Sequence, residues 1–497
     1  MLNEDLASLL LPIGHDTANA SYDPETFHVL HPALKKEDSP TIFSLLHECV
    51  HVIQHSCTST GIHDVIAKAT RDQNVETFIK SASIDFDLYP GHKSWFGLYR
   101  HRSSPDFYRN TVRSKDGLSL QAFIDIWYSN FLADRFRHDP IAVAKLAKRY
   151  DPRYEDPFVA LLLSQAKQLV FAQHRWAPAF FDPSEDYTFD DYNAQAFESY
   201  IKSQQIWWPG SAEQKVLSSR LLYEAWACAI EMLHMKRLGL NWEWLKRYQE
   251  ILNSEYKYFF QWVEKNFITL VGVDILEEPL ILLDLAIMCE LALNPRNAPF
   301  VKEMFSEGIT KLNPPSRFAT LNKHARVVWD TIGSPKTLGI DEIKSRVRTW
   351  RSRASFNCVE LQELSGLQLK EQYKGRLGYA GIELLLSYKD QLFSANPTAE
   401  SVTEIILSEN FLASRPPLAI YKYDQEEEYT FSEQCFPSQE ILIKKVTEIM
   451  YYNAMKDLVI GFAPIQCLIG GHYDLEKNIP GLTQFVKKQI TRLTRRQ

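Results

Sequence analysis

Disulfide chemistry is the first thing this sequence leaves out. Its seven cysteines among 497 residues are scattered and odd in number, which suits no disulfide framework and points to a reducing setting. No secretory leader is expected, because Met1, Leu2, Asn3, Glu4, Asp5 and Leu6 provide neither a basic region nor a long apolar core. No apolar run is clean enough to span a membrane. The best candidate, residues 275–293, contains Glu277, Glu278, Pro279, Asp284 and Glu290 and reads as the core helix of a soluble protein. A basic excess is missing too: the formal net charge of −7 gives no reason to expect nucleic acid as the main partner. Repeats and low-complexity tracts are absent. Together these absences favour a cytoplasmic protein with no membrane partner.

What is present is an ordinary globular composition, 45% hydrophobic and 24% charged, long enough for two or three domains or one large one. The 11 Trp, 23 Tyr and 28 Phe suit thick helix packing or a large cleft. The pattern is mainly α-helical within an α+β fold. A short strand at residues 26–30 is ended by Pro32, and residues 91–115 read as loop. Helices are expected near 118–149, 156–174, 212–238, 241–266, 277–293 and 299–311, with Gly239 stopping the third. Residues 313–318, with Pro314 and Pro315, break the pattern. A second break at 332–339 divides a mostly helical domain, 1–335, from a mixed α/β domain, 336–497, that would control access or substrate choice. In the second part Leu418 to Tyr423 reads as strand, Glu426, Glu427 and Glu428 as an exposed turn, and 438–458 as helix. Lys487, Lys488, Arg492, Arg495 and Arg496 give the last stretch a basic, solvated helical face.

The chemistry concentrates at His47-Glu48-Cys49-Val50-His51, an H-E-x-x-H motif in a segment that reads as helix. Ser39 is a natural N-cap and Pro40 suits the first helical position. Ile42, Leu45, Leu46, Cys49, Val50 and Ile53 would bury most of this helix. Residues four apart share a helix face about 6 Å apart along the axis, so His47 and His51 can hold one ion between them. Zinc takes imidazole nitrogen at about 2.0–2.1 Å and leaves a water position when three protein groups bind it. Glu48 is placed to take a proton from that water. His55 lies roughly 12 Å from His47 along the axis, too far to share the ion, and reads as a residue of the cleft. Local candidates for a third ligand are Cys57, His63 and Asp64.

The motif helix resembles that of the zincin metallopeptidases. In zincins a strand close to the metal helix aligns an extended substrate, a role the 26–30 strand fits. The metzincin pattern would require a third histidine six residues after His51 with a glycine between; those positions hold Cys57 and Gln54. The gluzincin pattern instead places a glutamate on a second helix, followed by small residues. Glu224, with Ala225, Ala227 and Ala229, is similar to this, and the resemblance implies that it is the third ligand of one Zn2+ per chain. Gluzincins often carry an acid four positions later to orient a histidine. Cys228 stands there, and Glu231, three further on, can serve instead or compete as ligand. A donor to polarise the substrate carbonyl has four candidates, His55, Tyr223, His234 and Arg317.

The resemblance thus implies a zincin-like zinc metallopeptidase acting on a protein or peptide, with Glu48 as general base. Two alternatives stay open. One is a zinc hydrolase of a non-peptide amide or ester. The other is a non-catalytic helical interaction protein with a structural motif. An open groove beside a strand edge favours the peptidase, a closed pocket the small-molecule hydrolase.

Overall fold

The computed structural model describes residues 21–23, 28–32, 39–62, 64–65, 82–83, 113–114, 205–207, 214–254, 256–267, 276–295, 314–332, 339–354, 358–369, 371–374, 379–408, 411, 418–423 and 426–431. Among them helix predominates. The expected helices at 118–149, 156–174, 299–311 and 438–458, the basic C-terminal stretch, His63 and most of residues 91–115 lie outside the described residues.

One sheet of four strands has the order β1-β2-β7-β8, formed by β1 (Ser21–Asp23), β2 (His28–Pro32), β7 (Leu418–Tyr423) and β8 (Glu426–Phe431). Antiparallel β1 and β2 match Tyr22 with Val29, and β2 runs parallel to β7, with Leu30 opposite Ile420. The acidic run 426–428 is therefore strand, paired antiparallel to β7, and not the exposed turn its charge suggests. Two-residue β3 (Ala82–Ser83) pairs with β4 (Arg113–Ser114), and β5 (Gln205–Trp207) pairs with β6 (Gln214–Val216).

Beside the sheet stands the motif helix α1 (Ser39–Cys57), in contact with β1 and β2. Helix α2 (Ser219–Arg237) is capped by Ser218, whose Oγ accepts from Leu221 N–H at 3.3 Å, and ends before Gly239, whose φ of +70° suits the C-terminal turn. The expected helix 241–266 is two, α3 (Asn241–Leu252) and α4 (Tyr256–Phe267). Ser254 separates them, because its Oγ donates to Ile251 O and accepts from Tyr256 N–H in place of helical bonds.

At the centre lies α5 (Pro279–Leu293), buried on every side from Leu280 to Leu293. An all-round apolar helix belongs in a core, and α5 packs against α2, α6 (Pro314–Ile332) and α7 (Ile340–Arg353). Helix α6 begins at Pro314-Pro315, where a break was expected. First-turn N–H groups have no intrahelical partner, so prolines are tolerated there. The carbonyls at the end of α5 are satisfied by Arg317, which donates to Leu291 O, Ala292 O and Asn294 O at 2.7, 3.1 and 3.3 Å. Helices α8 (Leu361–Ser365), α9 (Ala380–Ala395) and α10 (Val402–Ile406) follow, with a 3-10 turn at Glu371–Tyr373, and residues 59–62 and 64–65 just after α1 are helical as well. A single hydrophobic cluster runs from Tyr22 to Phe411, with members on both sides of residue 335. Among the described residues no helix is long and apolar enough to cross a membrane.

Two charged residues of α5 are held by elements beyond residue 335. Glu290 accepts the N–H groups of Val402 and Thr403, both at 2.8 Å, at the start of α10. Asp284 accepts from Arg346 Nη1 at 2.6 Å and Trp350 Nε1 at 2.9 Å, and burial pushes its carboxyl up to about 6 in spite of the arginine. Changing Arg346 to Met should leave that carboxylate without its counter-charge and lower unfolding free energy by about 3–5 kcal/mol. Urea denaturation measures it; an unchanged midpoint would show that the pair does not hold α5 to α7.

Candidate metal centre

The motif helix keeps Phe43, Leu46, Val50, Ile53 and Cys57 buried at spacings of three and four, and it also buries His47, Glu48, His51, Gln54 and His55. Burying that many polar groups is costly unless each meets a partner. Helix α2 supplies most of them. Its Ala225, Ala227 and Ala229 are buried and small, which permits close approach, and α1 and α2 pack directly.

Glu224 lies across the two histidines. One carboxylate oxygen is 3.3 Å from His47 Nε2, the other 3.6 Å from His51 Nε2. Donors of a tetrahedral ion bound at about 2.1 Å stand roughly 3.4 Å apart, so these two separations fit a shared cation. One ligand atom from each of His47, His51 and Glu224 lies within 4.8 Å of the others. Burial raises the Glu224 carboxyl, but the neighbouring His51 and His47 outweigh it and hold the group well below the usual carboxylate range.

The outer ring nitrogens are also specified. His51 Nδ1 is 2.7 Å from Gln54 Oε1, and Gln54 Nε2 donates to Tyr223 O at 2.8 Å. Because the amide must give its N–H to a carbonyl, its oxygen faces His51 and accepts from Nδ1–H. That proton location leaves the Nε2 lone pair facing Glu224, as a metal ligand requires. Behind His47, Nδ1 is 3.3 Å from Glu231 Oε2. Burial lowers the pKa of His47, yet contacts with Cys228, Glu224 and Glu231 outweigh it and draw a proton onto the ring. This surplus of anionic groups is what a bound cation would neutralise.

Glu48 is buried beside the pair. Its Oε2 has no hydrogen-bond partner among the described residues, and the backbone N–H of Tyr22 in β1 hydrogen-bonds the carboxylate. Burial raises its pKa, with His51 and His47 opposing the shift.

The structure brings together His47, His51, Glu48 and Glu224. Glu231 belongs to a second group with Cys228 that includes His47 but not His51. Neither Cys57, carried on by the helix, nor Asp64 joins either group. Of the four carbonyl-polarising candidates, two are committed elsewhere: Arg317 to the end of α5, and His234, whose Nε2 donates to Ile406 O at 3.0 Å. His55 and Tyr223 remain at the site. Their rings stack at 5.2 Å, and His55 Nδ1 donates to His51 O at 3.0 Å.

Gln54, Gly61 and Arg247 escape a reading based on motifs. Gln54 appears in the sequence only where a glycine would stand in metzincins. Gly61 follows because the chain folds back on α1: a Cβ there would meet Gln54 O at 2.2 Å. No family model, no curated protein and no solved structure matches this chain.

The purified protein should carry one divalent ion per chain. Replacing Gln54 by Leu should weaken its binding about 10–100-fold, as is typical when the hydrogen bond supporting a ligand is lost. Glu224→Ala and His51→Ala should each weaken it further. Competition with a chromophoric chelator checks this ranking, and affinity indifferent to Glu224 would remove it from the centre.

Proposed function

We infer that the protein is a zinc-dependent metallopeptidase. His47, His51 and Glu224 hold the ion, and Glu48 is the general base. One observation carries this reading: three buried donors from two helices converge beside a carboxylate whose second oxygen has no hydrogen-bond partner among the described residues. Two imidazoles and one carboxylate are a donor set of catalytic zinc sites, which keep a fourth position open. Bound there, zinc would polarise a substrate carbonyl and acidify water.

The chain's own groups perform the proton transfers. Glu48 Oε2 takes the proton from the attacking water as the new C–O bond forms at the carbonyl carbon. It then gives that proton to the amide nitrogen as the C–N bond breaks. Burial pushes the Glu48 carboxyl upward, the direction that suits a group that first takes and then returns a proton.

Sheet topology supports a peptide as substrate over a small amide or ester. Strand β2, expected to align the substrate, has β1 on one side and β7 on the other, so its backbone groups are engaged by the sheet. Among the described residues β1 is the sheet edge, and its Tyr22 N–H already reaches Glu48. The Tyr22–Glu48 contact puts that edge next to the base, where an extended substrate would be aligned.

Glu48→Gln keeps size and helix propensity while removing the base. The variant should retain zinc and lose peptide cleavage by at least about 10²–10⁴-fold, measured by mass spectrometry on a proteome-derived peptide library. Cleavage at the wild-type rate would discard this mechanism. A zinc-loaded wild-type protein that leaves the library intact would discard the peptide substrate.

A further inference from the structure

We propose that Arg247, on α3, is a positioning residue for the metal centre: it fixes Glu231 so that His47 presents its other ring nitrogen to the ion. The proposal rests on the metal reading above and adds a residue that lies outside both the motif helix and the ligand helix.

Helix packing delivers the side chain. On α3 the buried residues Trp244 and Ile251 are two turns apart, and Arg247 sits between them on the same stripe. Trp244 is locked in turn, since Lys236 of α2 lies 3.6 Å over its ring and Tyr248 stacks on it at 5.3 Å. The stripe faces α2, where Glu224, Cys228 and Glu231 share one face at spacings of four and three. Arg247 meets two of those three residues. Its Nε donates to Glu231 Oε2 at 3.0 Å and its Nη2 to Cys228 Sγ at 3.6 Å. A third nitrogen, Nη1, donates to Glu250 Oε2 at 3.1 Å, which anchors the guanidinium from its own helix.

The same oxygen, Glu231 Oε2, stands 3.3 Å from His47 Nδ1. The chain of contacts therefore runs from Arg247 through Glu231 to His47 and on to Glu224 and His51. A ligand histidine normally needs an acceptor behind it to fix its tautomer and ring orientation. For His51 that acceptor is Gln54. For His47 the group in that place is Glu231, whose Oε2 lies 3.3 Å from Nδ1 as an ion-pair contact and not a formed hydrogen bond, and a carboxylate on a flexible stem holds one orientation only if something fixes it. The planar fork of arginine does so, because Nε and Nη2 engage two α2 side chains at once. Cys228 and Glu231 also form a metal-like group with His47, but the guanidinium occupies their side and is the cation they share.

Cobalt(II) is a suitable probe, because its visible absorption reports both affinity and ligand geometry in the full-length chain. Wild type should bind one cobalt ion with a tetrahedral spectrum. Arg247→Met, which keeps the apolar stem, should weaken binding about 10–100-fold and alter the band. The ion-free variant should melt below wild type, because buried Glu231 loses its counter-charge, while Trp244 and Ile251 still dock α3; affinities are therefore compared at a temperature where both chains are folded. Arg247→Lys should fall between the two, because it restores charge without the fork, and it decides the matter if the methionine variant does not fold. Wild-type affinity and an unchanged band in Arg247→Met, or in Arg247→Lys should the other be unfolded, would overturn the proposal. Failure of the wild-type protein to bind cobalt or zinc would instead remove the metal reading on which it rests.

Discussion

Everything in the described core is arranged around the burial of imidazole and carboxylate groups between two helices. Bringing one ionised group out of water costs several kcal/mol even after the protein relaxes. Helices α1 and α2 bury His47, Glu48, His51, Glu224 and Glu231 together. None of these is tolerable alone, so the helices must meet in the register that pairs them, with Glu224 across both histidines and Glu231 behind one. Small residues on α2 make the approach possible, and the outer hydrogen bonds to Gln54 and Arg247 remove the remaining freedom.

Such a polar seam needs a rigid backing, and α5 supplies it. Its buried apolar side chains pack against α2, and each deeply buried Leu or Ile there contributes about 1.5–3 kcal/mol. The end of α5 is also tied to the turn that follows the motif helix. Ser59 N–H donates to Asn294 Oδ1 at 2.8 Å and Ser59 Oγ to Pro295 O at 3.0 Å. In that turn Gly61 lies against Gln54, the residue that sets the His51 tautomer. Packing far from the donors thus reaches them through a short series of buried contacts.

The separation between elements in sequence is bridged by few, specific interactions. Strand β2 finds β7 almost four hundred residues away, and α7 reaches α5 through Arg346 and Asp284. Residues beyond 335 accordingly share the core with the motif helix, while both candidate metal groups among the described residues come from before residue 240.

Local periodicity made part of this legible from sequence. A repeat of 3.6 residues puts His47 and His51 on one face with Glu48 beside them, and the apolar spacing marks α1, α2 and α5, because backbone geometry alone sets those relations. The same local rules misread Pro314-Pro315 as a break, though the first helical turn accepts proline, and Glu426 to Glu428 as a turn, though pairing with β7 makes them strand. Which acid faces the histidines was of another kind. Glu224 and Glu231 lie two turns apart on one face of α2, so helix geometry alone does not rank them, and Glu224 is favoured only by its likeness to the gluzincin pattern. Only the height at which α2 meets α1 sets Glu224 across the pair and Glu231 behind His47. The crossing point of two helices depends on the side chains of both and on α5 beneath them. For that reason sequence determined the histidine pair and the glutamate beside it, while tertiary packing decided which carboxylate faces the pair, the ring tautomer of His51 and the contacts of Gln54 and Arg247.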